Sequence, residues 1–233
     1  MINSKKIIVY LITGVVIFLA VMFGYPIVTK TNVQLPNPNV ANPLIANTPN
    51  PTPTPPLPAA PTPDRPAMAE PIGRAISRVT KKPFGIKISP TSSPVSPERF
   101  SGYHTGVDFE VSEEELNLNV PVFAICMGPL VLKRNATGYG GVVVQQCSIN
   151  NEAVTVIYGH LRLNSIATDL NQTLSPSERI GVLGKGFSTE TDGERKHLHL
   201  GIHKGKSINL RGYVQTPEEL SAWIDARPLL NGQ

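Results

Sequence analysis

The chain has 233 residues and a formal net charge of +4, from 21 lysines and arginines against 17 aspartates and glutamates. So small a positive excess, without an interleaved array of basic and aromatic residues, argues against a nucleic-acid-binding protein. The length suits one folded domain with additional segments.

The N-terminal segment predicts a membrane anchor. Ile7 to Val28 form a nearly unbroken apolar stretch of 22 residues, about 33 Å long as a helix and therefore sufficient to cross a bilayer. Lys5 and Lys6 precede it and only Lys30 follows closely. The positive-inside rule therefore predicts that residues 1–30 are a cytoplasmic N-terminus and a single-pass helix in the cell membrane, with the rest of the chain extracytoplasmic. A cleaved signal peptide is the alternative, although the apolar run exceeds a typical h-region and no small-x-small site follows it.

Residues 31–79 predict a disordered, Pro-rich linker. Proline, asparagine, threonine and alanine dominate this segment, with PNPTPTPPLPAAPTPDRP at its centre. Such a composition cannot bury enough apolar area to fold, and proline favours an extended chain. We expect a spacer that holds the following domain on the order of 140 Å from the membrane at most.

Residues 80–233 predict one mainly β domain. Short runs rich in valine, isoleucine and leucine are separated by glycine, asparagine and serine, which indicates antiparallel strands. One C-terminal helix is expected, because Thr216 suits the N-cap, Pro217 the first helical position and Glu219 a capping box before LSAWI. The predicted strand runs are VPVFAIC, GPLVLKR, GVVVQQC, AVTVIYGHL, RIGVLG and HLHLGIH.

The sequence HTGVD contributes the first two candidate metal ligands, His104 and Asp108. A straight strand would separate them by about 13 Å, too far to share one ion whose ligand bonds are about 2 Å. The chain must therefore turn between them, and Gly106 permits a turn because it lacks a Cβ atom.

The two cysteines of the chain are candidates for a disulfide. Cys126 ends VPVFAIC and Cys147 ends GVVVQQC, so strands folded back around the NATGYG turn with residue numbers summing to about 273 would set them opposite each other. Opposed Cα atoms lie within disulfide range, and an extracytoplasmic domain permits the bond. Two buried, reduced thiols are the alternative, because a shift of one residue in register would turn the side chains to opposite faces.

The remaining histidines lie in YGHL (His160) and KHLHLGIH (His197, His199, His203). Alternate residues of a strand share a face, so His197 and His199 project together, and one can bind metal while the other faces substrate. His203 lies about 13 Å from His199 along the strand and is left out of the site. Two nitrogens and one carboxylate oxygen make a three-ligand zinc site with a fourth position open for water, as in catalytic zinc sites.

HTGVD, YGHL and HLH, in that order, resemble the signature of the lysostaphin-type (LytM-type) zinc metallopeptidases, which cut peptidoglycan peptides. The resemblance covers about residues 83 to 209 and extends to the strands and glycine turns of GYGGVVV and ERIGVLGKG. It implies that His104, Asp108 and His199 bind Zn²⁺, and that His160 and His197 act on the water and the transition state. It also implies a duplicated-hybrid-motif β-sandwich, a peptidoglycan substrate, and cell-division or wall-hydrolase regulators as partners.

Two departures from the family pattern bear on substrate fit more than on chemistry. Arg195-Lys196 replaces the family's usual Gly-Pro before HLH, and Cys147 stands where a histidine often follows the GYG strand. The alternative function is a catalytically silent wall-binding module that activates a cell-wall amidase. Such relatives typically lack one or more of the five positions, whereas this chain has all five.

Overall fold

The computed structural model describes residues 68–230. The predicted membrane helix at residues 7–28 and most of the predicted linker lie outside this range. Within residues 68–230, every helix is too short or too polar to span a bilayer. Residues 68–79, assigned to the linker from composition, pack against the folded domain: Met68, Ile72 and Ala75 are buried in its core, and the Ala69 amide donates to the Ile125 carbonyl at 2.7 Å.

Antiparallel strands make up most of the regular structure, as predicted. Their bounds are β1 (Lys87–Ile88), β2 (Gly102–His104), β3 (Gly106–Glu110), β4 (Pro121–Phe123), β5 (Gly128–Ala136), β6 (Gly140–Ile149), β7 (Glu152–Gly159), β8 (Thr173–Leu174), β9 (Arg179–Val182), β10 (His197–Lys204), β11 (Tyr213–Val214) and β12 (Trp223–Ile224). The α-helices are α1 (Pro217–Leu220) and α2 (Arg227–Leu230), and single 3-10 turns occur at Ile76–Arg78, Leu163–Ser165 and Thr189–Thr191.

A seven-stranded sheet forms the centre of the domain, in the order β12-β10-β7-β6-β5-β8, with β3 also paired to β10. A three-stranded sheet has the order β1-β2-β11, and β4 pairs with β9. Strand β10 therefore has β7 on one edge and both β3 and β12 on the other. Because β3 and β2 follow each other in sequence but belong to different sheets, the chain between them passes from one sheet to the other.

The two faces of β3 and β10 have opposite chemistry. Val107, Phe109, Leu198 and Leu200 are at most 1% exposed and belong to the main core cluster. Burial of each such side chain contributes on the order of 2 kcal/mol. The alternate residues carry the polar motif side chains, because successive side chains of a strand point to opposite sides. The core thus fixes the register that presents the histidines.

The capping box at the C-terminal helix is confirmed, but the helix is shorter than LSAWI suggested. The Thr216 side chain accepts from the Glu219 amide, and the Glu219 side chain accepts from the Thr216 amide. Helix α1 ends at Leu220, and Trp223 pairs with His203 as part of β12. Pairing of this segment with the edge of β10 competes successfully with continuation of the helix.

The structure joins Cys126 and Cys147 in a disulfide, with Cα atoms 6.1 Å apart. The contact arises differently from the predicted strand pairing. The β5–β6 register pairs Leu130 with Gln145, which would place Cys126 opposite Ile149 if it continued. Instead Cys126 lies before β5, where the Gln145 side chain donates to the carbonyls of Cys126 and Gly128 at 2.9 and 3.1 Å.

Candidate metal centre

Three strands bring His104, Asp108 and His199 together. Asp108 and His199 are directly opposed in the β3–β10 pair. His104 ends β2 in the three-stranded sheet, and Thr105 separates β2 from β3; its amide donates to the Gly212 carbonyl at 3.0 Å and its hydroxyl to the Arg211 carbonyl at 2.6 Å. No turn or bend occurs between His104 and Asp108; instead the chain changes sheets at Thr105, between β2 and β3.

Gly106 serves a different purpose from the one expected. It lies in β3, and a Cβ atom placed on it would come within 2.6 Å of the His199 ring and 2.7 Å of the Leu200 carbonyl oxygen. Glycine is thus required for the close approach of the His199 imidazole to the backbone of β3.

The separations among the three candidate ligand atoms fit a tetrahedral ion. His104 Nε2 lies 3.1 Å from His199 Nδ1 and 3.3 Å from Asp108 Oδ1, and His199 Nδ1 lies 3.1 Å from Asp108 Oδ1. Four ligands placed 2.0–2.1 Å from zinc at tetrahedral angles are about 3.3 Å apart. His104, Asp108 and His199 are 1, 2 and 4% exposed. A cation bound between them would satisfy the two nitrogens and the carboxylate that face one another in this buried space.

Hydrogen bonds orient both imidazole rings. His104 Nδ1 lies 3.2 Å from the Pro83 carbonyl oxygen, which can only accept, so Nδ1 carries the proton and Nε2 presents a lone pair to Asp108 and His199. The other nitrogen of His199, Nε2, lies 3.4 Å from the Tyr139 hydroxyl. The Pro83 contact thus selects the tautomer of His104 in which Nε2 can bind a metal.

His160 and His197 form a second pair beside these residues. Their ring centroids are 4.2 Å apart, and His197 Nε2 lies 3.3 Å from Asp108 Oδ2. His197 Nδ1 donates to the Arg195 carbonyl at 2.9 Å. His160 follows β7 with φ 63°, a left-handed conformation uncommon for a residue other than glycine. Its Nδ1 has no hydrogen-bond partner among the residues that the structure describes.

Burial and neighbouring charges set the protonation of the site. Burial lowers the pKa of His160 well below its ordinary value and lowers that of His199 to about 4, so both imidazoles are neutral near pH 7. Burial alone would raise the pKa of Asp108, but interactions with His197 and His104 hold it well below its ordinary value. Of the candidate ligands, His199 is therefore a neutral imidazole and Asp108 an ionised carboxylate, the forms that bind zinc.

A cleft of about 280 Å³ opens onto this constellation. Asp108, His160, His197 and His199 line it, together with Tyr139 and Tyr213 among others. The structure thus brings all five predicted residues into one site, with four of them facing the cleft. His203 lies apart from this site, with its ring 4.8 Å from that of Trp223.

Residues 102–210 match the profile of Peptidase family M23. This domain belongs to that family. No curated protein matches the chain. The chain is similar to LytU at 20% identity over 65% of this chain and 82% of that one, with a TM-score of 0.44. It is similar to the catalytic domain of lysostaphin from Staphylococcus simulans at 19% identity over 70% and 100%, with a TM-score of 0.47. Helicobacter pylori Csd3 is 21% identical over 64% of this chain and 35% of that one, with a TM-score of 0.40.

The folded domain contains further residues near the site that the sequence pattern does not mark. Tyr139 lies in the GYG turn, and its hydroxyl lies 3.4 Å from His199 Nε2. The GYG pattern predicts a turn from its glycines and gives no role for the tyrosine. Lys82 and Glu98 form a buried ion pair at 2.5 Å, and Lys82 donates to the Tyr213 hydroxyl at 3.1 Å. Burial alone would raise the pKa of Glu98, but hydrogen bonds from Lys82 and the Phe100 amide hold it below its ordinary value. Nothing in the local sequence marks these residues, because only the tertiary fold joins them.

The side chains of Arg195 and Lys196, the pair that departs from the family pattern, are both bonded to acceptors within the protein. Lys196 is 5% exposed and its ammonium donates to the carbonyls of Glu115, Leu116 and Leu118 at 2.9, 3.2 and 2.5 Å. Arg195 donates to Asp108. Arg195 therefore contacts the site directly, whereas Lys196 holds the segment from Glu115 to Leu118.

Proposed function

We propose that this protein is a zinc-dependent metalloendopeptidase that hydrolyses peptide bonds in peptidoglycan. The observation that carries the proposal is the set of three ligand atoms 3.1 to 3.3 Å apart, at a cleft of an M23 domain. A metallopeptidase needs such a set beside a space that admits a peptide.

His104, Asp108 and His199 would hold the zinc. Two neutral nitrogens and one carboxylate are ligand types that zinc accepts, and three protein ligands are typical of catalytic rather than structural sites. When bound, zinc supplies Lewis acidity that lowers the pKa of a coordinated water towards about 7 and polarises a carbonyl.

His160 and His197 are the proposed catalytic pair. A neutral imidazole has one donor and one acceptor nitrogen, so the pair can take a proton from an attacking water and donate a hydrogen bond to the oxyanion that forms on the scissile carbonyl. The lowered pKa of His160 keeps this ring neutral, and its Nδ1 makes no hydrogen bond within residues 68–230. Tyr139, whose pKa is raised by burial, remains a neutral phenol against His199.

The N-terminal segment would place this activity at the cell membrane. We infer that residues 7–28 anchor the protein as a single-pass helix with a cytoplasmic N-terminus, and that the Pro-rich linker lets the domain reach peptidoglycan from the extracytoplasmic side. Regulators of cell division or of wall hydrolases are the partners that such a location favours.

Digestion of purified walls by the full-length chain in detergent tests the proposal. We expect soluble peptides with new amino termini, whose masses identify the bond that is cut. His199→Ala should abolish release, whereas His203→Ala is a matched control, because His203 lies on the same strand but contacts Trp223 and Asn209. Release that persists in His199→Ala would refute the proposal. Stimulation of an amidase without any peptide release would favour the silent binding module instead.

A further inference from the structure

The side chain of Arg195 connects the proposed metal ligand Asp108 to a second carboxylate, Glu110. Arg195 Nη2 donates to Asp108 Oδ2 at 2.9 Å, and Nε donates to Glu110 Oε2 at 2.9 Å; Nη2 also donates to Glu110 Oε1. The Arg195 and Glu110 side chains are 12 and 11% exposed. Asp108 and Glu110 are alternate residues of β3 and so share a face, which lets one planar guanidinium bridge both.

The two oxygens of Asp108 have different surroundings. Oδ1 faces His104 Nε2 and His199 Nδ1 at 3.3 and 3.1 Å. Oδ2 is held by Arg195 at 2.9 Å and lies 3.3 Å from His197 Nε2. A carboxylate can bind a metal through one oxygen or through both. Ligation through both would add a ligand and crowd the position that a catalytic zinc keeps for water.

We propose that Arg195, anchored by Glu110, is a positioning residue that restricts Asp108 to metal ligation through Oδ1 alone. The inference rests on the proposed zinc site and deepens it. Arginine suits this task better than lysine, because its rigid fork can bond two carboxylates at once while a lysine ammonium is a single point donor. Arg195-Lys196 stands where the family pattern has Gly-Pro, and Arg195 thus adds a charged side chain that holds Asp108 in place.

A purely electrostatic role for Arg195 makes the opposite prediction. The positive charge of a guanidinium beside the ligand repels a divalent cation, so its removal should tighten zinc binding if charge alone matters. If the guanidinium positions Asp108, its removal should weaken zinc binding, because outer hydrogen bonds to ligands typically account for 10- to 100-fold in affinity. The direction of the change therefore separates the two roles.

The test is zinc affinity of the full-length chain, measured by competition with a chromophoric chelator. We expect Arg195→Met to weaken zinc binding about 10- to 100-fold and Arg195→Lys to weaken it as well. Arg99→Met is the matched control, because it removes one positive charge whose carboxylate partners within residues 68–230 are Glu194 and Asp192, and Glu194 lines the same cleft; its affinity should stay within about twofold. Glu110→Gln should weaken binding less, and the double variant should fall short of the product of the two effects, because both act through one contact.

Visible absorption of the cobalt(II)-loaded protein reports the coordination number directly. Four-coordinate cobalt absorbs more strongly than five-coordinate cobalt, so we expect weaker absorption for Arg195→Met than for the wild type and Arg99→Met. Thermal unfolding of the metal-free variants establishes that each one folds, and Arg195→Lys and Glu110→Gln carry the test if Arg195→Met does not.

Unchanged or tighter zinc binding in folded Arg195 variants, or cobalt absorption equal to that of the wild type, would overturn the inference. Those outcomes leave wall digestion by the wild type unaffected. Conversely, a wild-type protein that binds zinc but releases no wall peptides would fail as an endopeptidase while the Arg195 result stands. Because affinity and absorption need no turnover, the two failures are distinguishable.

Discussion

Gly106→Ala should displace His199 without changing any functional side chain. The added Cβ would lie 2.6 Å from the His199 ring atoms Cε1 and Nε2 and 2.7 Å from the Leu200 carbonyl oxygen. Comfortable contacts between such atoms begin near 3.5 Å, so the ring or the strand must move by about 1 Å. Zinc ligand bonds tolerate about 0.2 Å. We therefore expect zinc affinity to fall on the order of 10- to 100-fold, and the hydrolysis rate on the order of 100-fold.

Overpacking of the strand pair should also destabilise the metal-free chain by about 1–3 kcal/mol. Gly73→Ala is the matched control, because a Cβ atom there meets nothing within 4 Å. Chelator competition measures the affinity, and thermal unfolding without metal measures the stability. If Gly106→Ala binds zinc and cuts walls like Gly73→Ala, the packing of His199 against β3 does not determine the geometry of the site.

Three further predictions concern the rest of the chain. Replacing Cys126 and Cys147 by serine should lower the free energy of unfolding by about 3 kcal/mol, because the bond closes a loop with a sequence separation of 21; equal urea midpoints would contradict this. The unfolded chain binds a proton near pH 6.5 that His199 in the folded chain binds only near pH 4. His199 alone should therefore lower the stability of the metal-free protein by about 3 kcal/mol on acidification through that window, and His160 acts in the same direction; a flat stability profile would refute the shifts. Carbonate washing should leave the full-length chain in membranes, and deletion of residues 1–30 should release it; retention of the truncated chain would contradict the anchor.

Strand periodicity in the sequence predicted much of the fold. The alternation in HLHLGIH placed the histidines on one face of a strand, and the structure puts His197 and His199 of β10 beside Asp108. The capping box at Thr216 is likewise a local signal, and local hydrogen bonds suffice to form it. The length of α1 was not predictable in the same way. The helix ends at Leu220, and Trp223 pairs instead with His203 of β10, which no local pattern indicates.

The surroundings of the site depend on contacts that no local pattern encodes. Arg195 meets Glu110 across 85 residues, and Lys82 meets Tyr213 across 131 residues. The chain changes sheets at Thr105 without a turn, so the need for glycine at position 106 is evident only from its distance to His199. The order of the motifs identified the five candidate residues. The hydrogen bonds that orient them, and the neighbours that surround them, are evident only in the tertiary structure.

An X-ray anomalous difference map at the zinc absorption edge, from crystals of the zinc-loaded protein, tests the central claim most directly. We expect one strong peak per chain, 2.0 to 2.2 Å from His104 Nε2, Asp108 Oδ1 and His199 Nδ1, and about 3 Å or more from Asp108 Oδ2. A peak bound elsewhere, or no peak at these three atoms in zinc-saturated crystals, would contradict the assignment of the metal centre and of the hydrolase proposed to depend on it.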